Sequence, residues 1–163
     1  MLVIAGSSPL IVLVNIGHIQ VLPKLFGEVV IPPAVASEIA APARPQIVRD
    51  FAAALPAWLS VRAPTAVQQI PELHQGEKEA LSLAMELHAD LVLIDERKAY
   101  REAVARNLNA VGTVRVLERA AAERLLDLKV AFERLKQSDF WISHKLLDER
   151  LKLFHKQQGA NPA

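Results

Sequence analysis

The sequence contains no cysteine, which excludes disulfide staples, thiolate zinc centres, dithiol redox chemistry and a cysteine nucleophile, and agrees with a reducing compartment. Aromatic residues are scarce, with one Tyr, two Trp and five Phe among 163 residues, so a core has to come from aliphatic side chains. Uninterrupted apolar runs of membrane-spanning length are missing as well. Residues 1–23 carry no charge, and the first cation is Lys24, yet Gly6, Ser7, Ser8, Pro9, Asn15, Gly17, His18 and Gln20 break the apolar pattern. That stretch reads as core rather than as a secretion signal or a membrane anchor. Also lacking are a Walker A loop, a dinucleotide fingerprint after the first strand, a serine elbow and an HExxH zinc motif.

What is present suits one globular domain over residues 1–156 with a frayed tail at 157–163: the chain is 52% hydrophobic and 23% charged, and long enough to bury a core without staples. The net charge of +1 hides an asymmetry. Residues 1–96 hold five cations and ten anions, net −5, while residues 97–163 hold fourteen cations and eight anions, net +6. Carboxylates gathered in one part and Arg/Lys in another suit a cation-binding pocket beside a polyanion-binding surface, although solvated helix faces produce the same bias.

Short apolar runs alternate with helical patterns. Leu2–Ala5, Glu28–Ile31, Trp58–Val61, Leu91–Ile94 and Asn109–Thr113 read as strands. Between them, helices are expected from Pro9 to Gly17 with Ser8 as N-cap, over Ile19–Phe26, Ala34–Ala41 and Gln46–Leu55, from Gly76 to Leu87, and from Arg97 onward. Residues 63–71 read as a loop, and the helical remainder is broken near Ser138–Ser143. Strand and helix in alternation imply a three-layer α/β domain with a mostly parallel central sheet. In such sheets ligands sit beyond the carboxyl ends of the strands, so the residues to question are Gly6–Ser8, those after Pro32, Asp95–Lys98 and Gly112–Thr113.

Asp95 directly follows the apolar run of Leu91–Ile94 and is either a ligand or a helix N-cap. Glu77 and Glu79 fall in the first turn of the helix from Gly76, where the helix dipole favours carboxylates. Glu38 stands alone on an otherwise apolar helix. Together Glu38, Glu77 and Asp95 offer only hard oxygens, and His18, His74, His88, His144 and His155 are too scattered for a zinc pattern; such a set selects Mg²⁺ or Mn²⁺. A bound cation of this kind makes hydroxide from water and clamps phosphodiester oxygens. The alternative of a phosphoacceptor domain built on Asp95 wants a pair of acids after the first strand, and Gly6-Ser7 supplies none.

At these residues the chain resembles the PIN domain, in the compact prokaryotic branch allied to VapC-type toxin ribonucleases. The resemblance rests on Ile4-Ala5-Gly6-Ser7-Ser8-Pro9-Leu10-Ile11, on Ile31-Pro32-Pro33-Ala34-Val35 with Glu38, on Gly76-Glu77-Lys78-Glu79-Ala80, on Leu93-Ile94-Asp95-Glu96-Arg97-Lys98-Ala99, and on Val111-Gly112-Thr113 and Asp139-Phe140-Trp141-Ile142-Ser143. It implies a cytoplasmic, metal-dependent endoribonuclease acting on RNA, dimeric and restrained by a protein antitoxin, with no membrane partner. Its catalytic and metal-ligating residues would be Glu38, Glu77 and Asp95, with Ser8, Arg97, Lys98, Arg101 and Thr113 toward the nucleic acid. Where the family opens with an Asp, this chain has Gly6. A naturally inactive relative, a substitution selected because the active toxin harms the cell that makes it, and compensation by Glu96 or Glu79 all account for Gly6; the intact motif on both sides favours the second. A catalytically inactive module that binds RNA or protein is the competing function.

Overall fold

The computed structural model describes residues 1–160, with the Ala160 side chain left aside. By internal packing the chain divides into two compact units, Met1–Thr113 and Val114–Ala163. Five very short strands make the sheet of the first unit: β1 Val3–Ala5, β2 Val29–Ile31, β3 Leu59–Val61, β4 Leu91–Leu93 and β5 Ala110–Val111. All pairings are parallel, in the order β3-β2-β1-β4-β5. Each strand is one to three residues shorter than its apolar run suggests. Thr113, expected to extend the last strand, instead opens a helix.

The apolar runs are continuous because the inner strands are covered on both faces. Every residue of β1 and β4 is buried. On one face Ile4, Val92 and Ile94 join Leu81, Ala84, Ala99 and Ala103 in a cluster that also takes in Ile70 and Leu73 from the long loop after β3. On the other face point Val3, Ala5, Leu91 and Leu93 by the two-residue alternation of a strand. A sheet buried on both faces by intervening helices is the middle layer of a three-layer α/β domain.

The helices of the first unit are α1 Ser7–Asn15, α2 Val21–Phe26, α3 Pro33–Ile39, α4 Gln46–Ala53, α5 Gln75–Glu86 and α6 Arg97–Ala105. The start of α1 corrects the expected cap: Gly6, not Ser8, is the N-cap, and Pro9 is the third helical residue. Ser8 is drawn into the helix because its hydroxyl has a long-range partner, given below. Gly17 does end α1. Its φ of +77° allows His18 N–H to reach Leu13 O at 2.8 Å and Gly17 N–H to reach Val14 O at 3.1 Å, the paired hydrogen bonds of a glycine-terminated helix.

The second unit carries α8 Leu128–Gln137 and α9 His144–Ala160, together with α7 Thr113–Ala122 from its second residue onward. The break expected at Ser138–Ser143 is the α8–α9 connection. Arg150 on α9 grips Glu118 on α7 with two hydrogen bonds, Nε to Oε2 at 3.1 Å and Nη2 to Oε1 at 2.5 Å. The expected tail at 157–163 continues α9 as far as Ala160, and 161–163 lie outside the described residues. Among the described residues no helix is long and apolar enough to cross a membrane.

Candidate active site

The carboxyl ends of β1 and β4 lie side by side, held by Gly6 N–H donating to Leu93 O at 2.9 Å. Beyond them is a cavity of about 30 Å³, space for a water or an ion, lined by Gly6, Ser7, Ser8, Glu77, Asp95 and Glu96 among others. Asp95 is its most constrained member. Oδ1 accepts from Thr113 N–H at 2.7 Å, and Oδ2 accepts from Thr113 Oγ1 at 2.6 Å and from Ser8 Oγ at 3.3 Å. Burial pushes the Asp95 carboxyl above its ordinary range, against the lowering effect of the Thr113 and Ser8 hydrogen bonds. Thr113 itself is fully buried. Both its donors turn inward to Asp95, so it acts as a positioning residue and has no surface for a nucleic acid.

Glu77 lies in the first turn of α5, where Oε2 accepts from His74 N–H at 3.0 Å, closing half of a capping box. Burial raises its carboxyl, the His74 hydrogen bond and charge lower it, and the negative charges of Glu96 and Glu38 raise it further. Glu96 is the N-cap of α6 and accepts from Lys98 N–H at 3.3 Å. The N-cap considered for Asp95 is thus its neighbour, which frees Asp95 for Thr113 and Ser8.

Glu38 is tied elsewhere. Its Oε2 accepts from Ser7 Oγ at 2.5 Å and its Oε1 from Gly76 N–H at 3.1 Å. Glu79 answers from the other helix, with Oε1 accepting from Ala34 N–H at 3.1 Å and Oε2 from Gln75 Nε2 at 2.9 Å. These bonds remove Glu79 as a substitute for the missing acid, since its oxygens serve the N-terminus of α3 and a neighbouring side chain.

The oxygens are hard donors of the kind Mg²⁺ or Mn²⁺ selects. Yet among the described residues no three of His, Asp and Glu come close enough to hold a metal ion. Gly6 brings no oxygen, Glu38 is engaged by Ser7 and Gly76, and Asp95 by Thr113 and Ser8. As they stand, with Gly at position 6, Glu38, Glu77 and Asp95 do not form a three-acid cluster around one point.

Gly6 leaves room for the absent side chain. Its backbone is extended, φ −79° and ψ 175°, and a Cβ there would meet only Leu93 O, at an ordinary 3.4 Å. Of the residues expected to face nucleic acid, Arg97, Lys98 and Arg101 are exposed on α6. Lys98 pairs with Glu72 at 3.2 Å, and Ser8 is turned to Asp95. Sequence reasoning gave Ser7 no partner, and no local signal shows the 31-residue step from Ser7 to Glu38.

A family model described as DUF3368: PIN domain matches residues 2–156. The chain belongs to the PIN-domain family. PIN domains are a nuclease-type family that typically binds divalent metal ions. Among solved structures this PIN domain is similar to a PilT N-terminus domain protein from the hyperthermophilic archaeon Sulfolobus solfataricus P2, at 20% identity and a TM-score of 0.54, covering 74% of this chain and 93% of that one. Identity that low shows the fold alone. No curated protein is similar enough to stand as a relative.

Proposed function

We propose that the protein is an endoribonuclease of the toxin–antitoxin type whose site is disabled at Gly6. The reading is carried by one observation: Asp95, half-buried and held by Thr113 and Ser8, shares a cavity with Glu77, Glu96 and Gly6, where a Cβ would make one ordinary contact, with Leu93 O. The PIN fold supports action on nucleic acids, and the motif resemblance supports RNA as substrate, a homodimer, a protein antitoxin and a cytoplasmic setting. In a PIN domain with its full acid set, bound Mg²⁺ or Mn²⁺ supplies an activated water for phosphodiester hydrolysis. In this chain Ser8 and Thr113 orient Asp95, and Glu38 fixes the first turn of α5 beside Glu77.

The test is cleavage of a panel of structured RNAs by the native chain and by Gly6→Asp, each with Mn²⁺, with Mg²⁺ and with chelator. Cutting by Gly6→Asp alone, abolished by chelator, is the expected result. Cutting by both would show that Gly6 disables nothing. Cutting by neither, with folding verified by circular dichroism, would refute the nuclease reading and favour the binding module, which the unassembled acid set already suits.

A further inference from the structure

Helix α6 starts two residues after Asp95 and buries Ala99 and Ala103. At 100° per residue, Arg97, Tyr100, Arg101 and Val104 fall on one stripe away from those alanines. All four are exposed, Tyr100 by 41% and Val104 by 53%. Tyr100 is the single tyrosine of the chain. No acid lies in the stripe. Lys98 and Glu102 share one flank of the stripe, and both are consumed by ion pairs, Glu102 with Arg106 and Lys98 with Glu72. Arg97 and Arg101 have no ion-pair partner among the described residues, and they are one helical turn apart.

An aromatic ring beside two guanidinium groups is the pairing that binds single-stranded nucleic acid: the ring stacks a base and the cations hold the adjoining phosphates. A paired base is already stacked in its duplex and has no free face to give. A second copy of this chain suits the stripe poorly. Two-fold self-association lays like surface against like, which here brings one pair of guanidinium groups to a surface that carries the same pair.

We infer that the exposed face of α6 is a platform for single-stranded RNA, with one base on the Tyr100 ring and the flanking phosphates on Arg97 and Arg101. The inference rests on RNA as the substrate and names the feature of RNA that is gripped. Because α6 follows Asp95 so closely, a strand lying on this face is led toward the cavity.

The experiment is fluorescence anisotropy of a short labelled single-stranded RNA and of a matched duplex, in chelator so that nothing is cut. Tyr100→Ala is expected to weaken single-strand binding by roughly tenfold and leave duplex binding unchanged, while Tyr100→Phe, which keeps the ring, binds like the native chain. Replacing Arg97 and Arg101 together by Ala is expected to flatten the log–log salt dependence by about 1.4. Native-like single-strand binding by Tyr100→Ala would overturn the inference, as would a Tyr100→Ala protein that loses a dimer in sedimentation rather than RNA. The two readings fail separately. Cleavage by Gly6→Asp alongside Tyr-independent binding sinks the platform and keeps the nuclease, whereas Tyr-dependent binding with no cleavage by Gly6→Asp does the reverse.

Discussion

Replacing Gly76 by Ala ought to stabilise an α-helix, and here it is expected to do the opposite. Gly76 is the second residue of α5, where Ala is favoured over Gly by about 1 kcal/mol. A Cβ at this position would lie 2.3 Å from Glu38 Oε1 and 2.8 Å from its Cδ, so the carboxylate has to leave. Leaving breaks the bonds from Gly76 N–H and Ser7 Oγ, each a hydrogen bond to a charged group worth roughly 1.5–3 kcal/mol at full burial. Partial exposure lowers that, and about 3 kcal/mol lost against 1 gained leaves a net destabilisation of about 2 kcal/mol. The sign must reverse once Glu38 is gone. In a Glu38→Ala background the new methyl has space, and Gly76→Ala should stabilise by up to about 1 kcal/mol. Urea midpoints of the four proteins of this cycle measure the coupling. Equal effects of Gly76→Ala in both backgrounds, or stabilisation of the native chain, would refute the argument.

Gly6→Asp adds an acid beside Asp95, Glu77 and Glu96, so Mn²⁺ affinity by calorimetry should rise by about tenfold or more, at least what an indirect partner of a ligand is worth; the same variant should melt lower in chelator and recover with Mn²⁺. Asp95 has a folded-state carboxyl raised chiefly by burial, so its contribution to stability is fully present in acid and is lost as pH rises from about 4 through the raised value. Asp95→Asn should therefore flatten the fall in stability between acid and neutral pH, with a residual slope of the same sign from Glu77; unchanged slopes in urea titrations would contradict this. Arg150→Ala should cost about 1–2 kcal/mol by strandng the half-buried Glu118, and Arg150→Lys should restore only part of it in the same melts, because one ammonium cannot replace a two-pronged guanidinium.

The sheet was legible because the inner strands are buried on both faces, so Val3–Ala5 and Leu91–Leu93 stand out as unbroken apolar runs. Helix interiors were legible by period, and their ends less so. Ser8 looks like a cap by residue type, and only its bond to Asp95, 87 residues away, explains why it lies inside α1. Thr113 reads as strand by its branched side chain, yet its bonds to Asp95 accompany the start of α7. In the candidate site, the positions of Glu77 and Asp95 beside one cavity followed from the place of Glu77 in the first turn of a helix and of Asp95 just past a strand. The engagement of Glu38 by Gly76, 38 residues away, and of Lys98 by Glu72 did not, because side-chain pairings across the sheet edge leave no trace in local periodicity.

Helices α3 and α5 exchange carboxylates: Glu38 of the first serves Gly76 of the second, and Glu79 of the second serves Ala34 of the first. The fold alone therefore has a use for an acid at position 38, whether or not any RNA is ever cut. A surviving Glu at that motif position is thus no certificate of catalysis in descendants of this sequence. Conversely, an inactive Glu38→Ala protein would report on the fold before it reported on chemistry, which makes Gly6, bound by no such exchange, the informative place to read gain or loss of function.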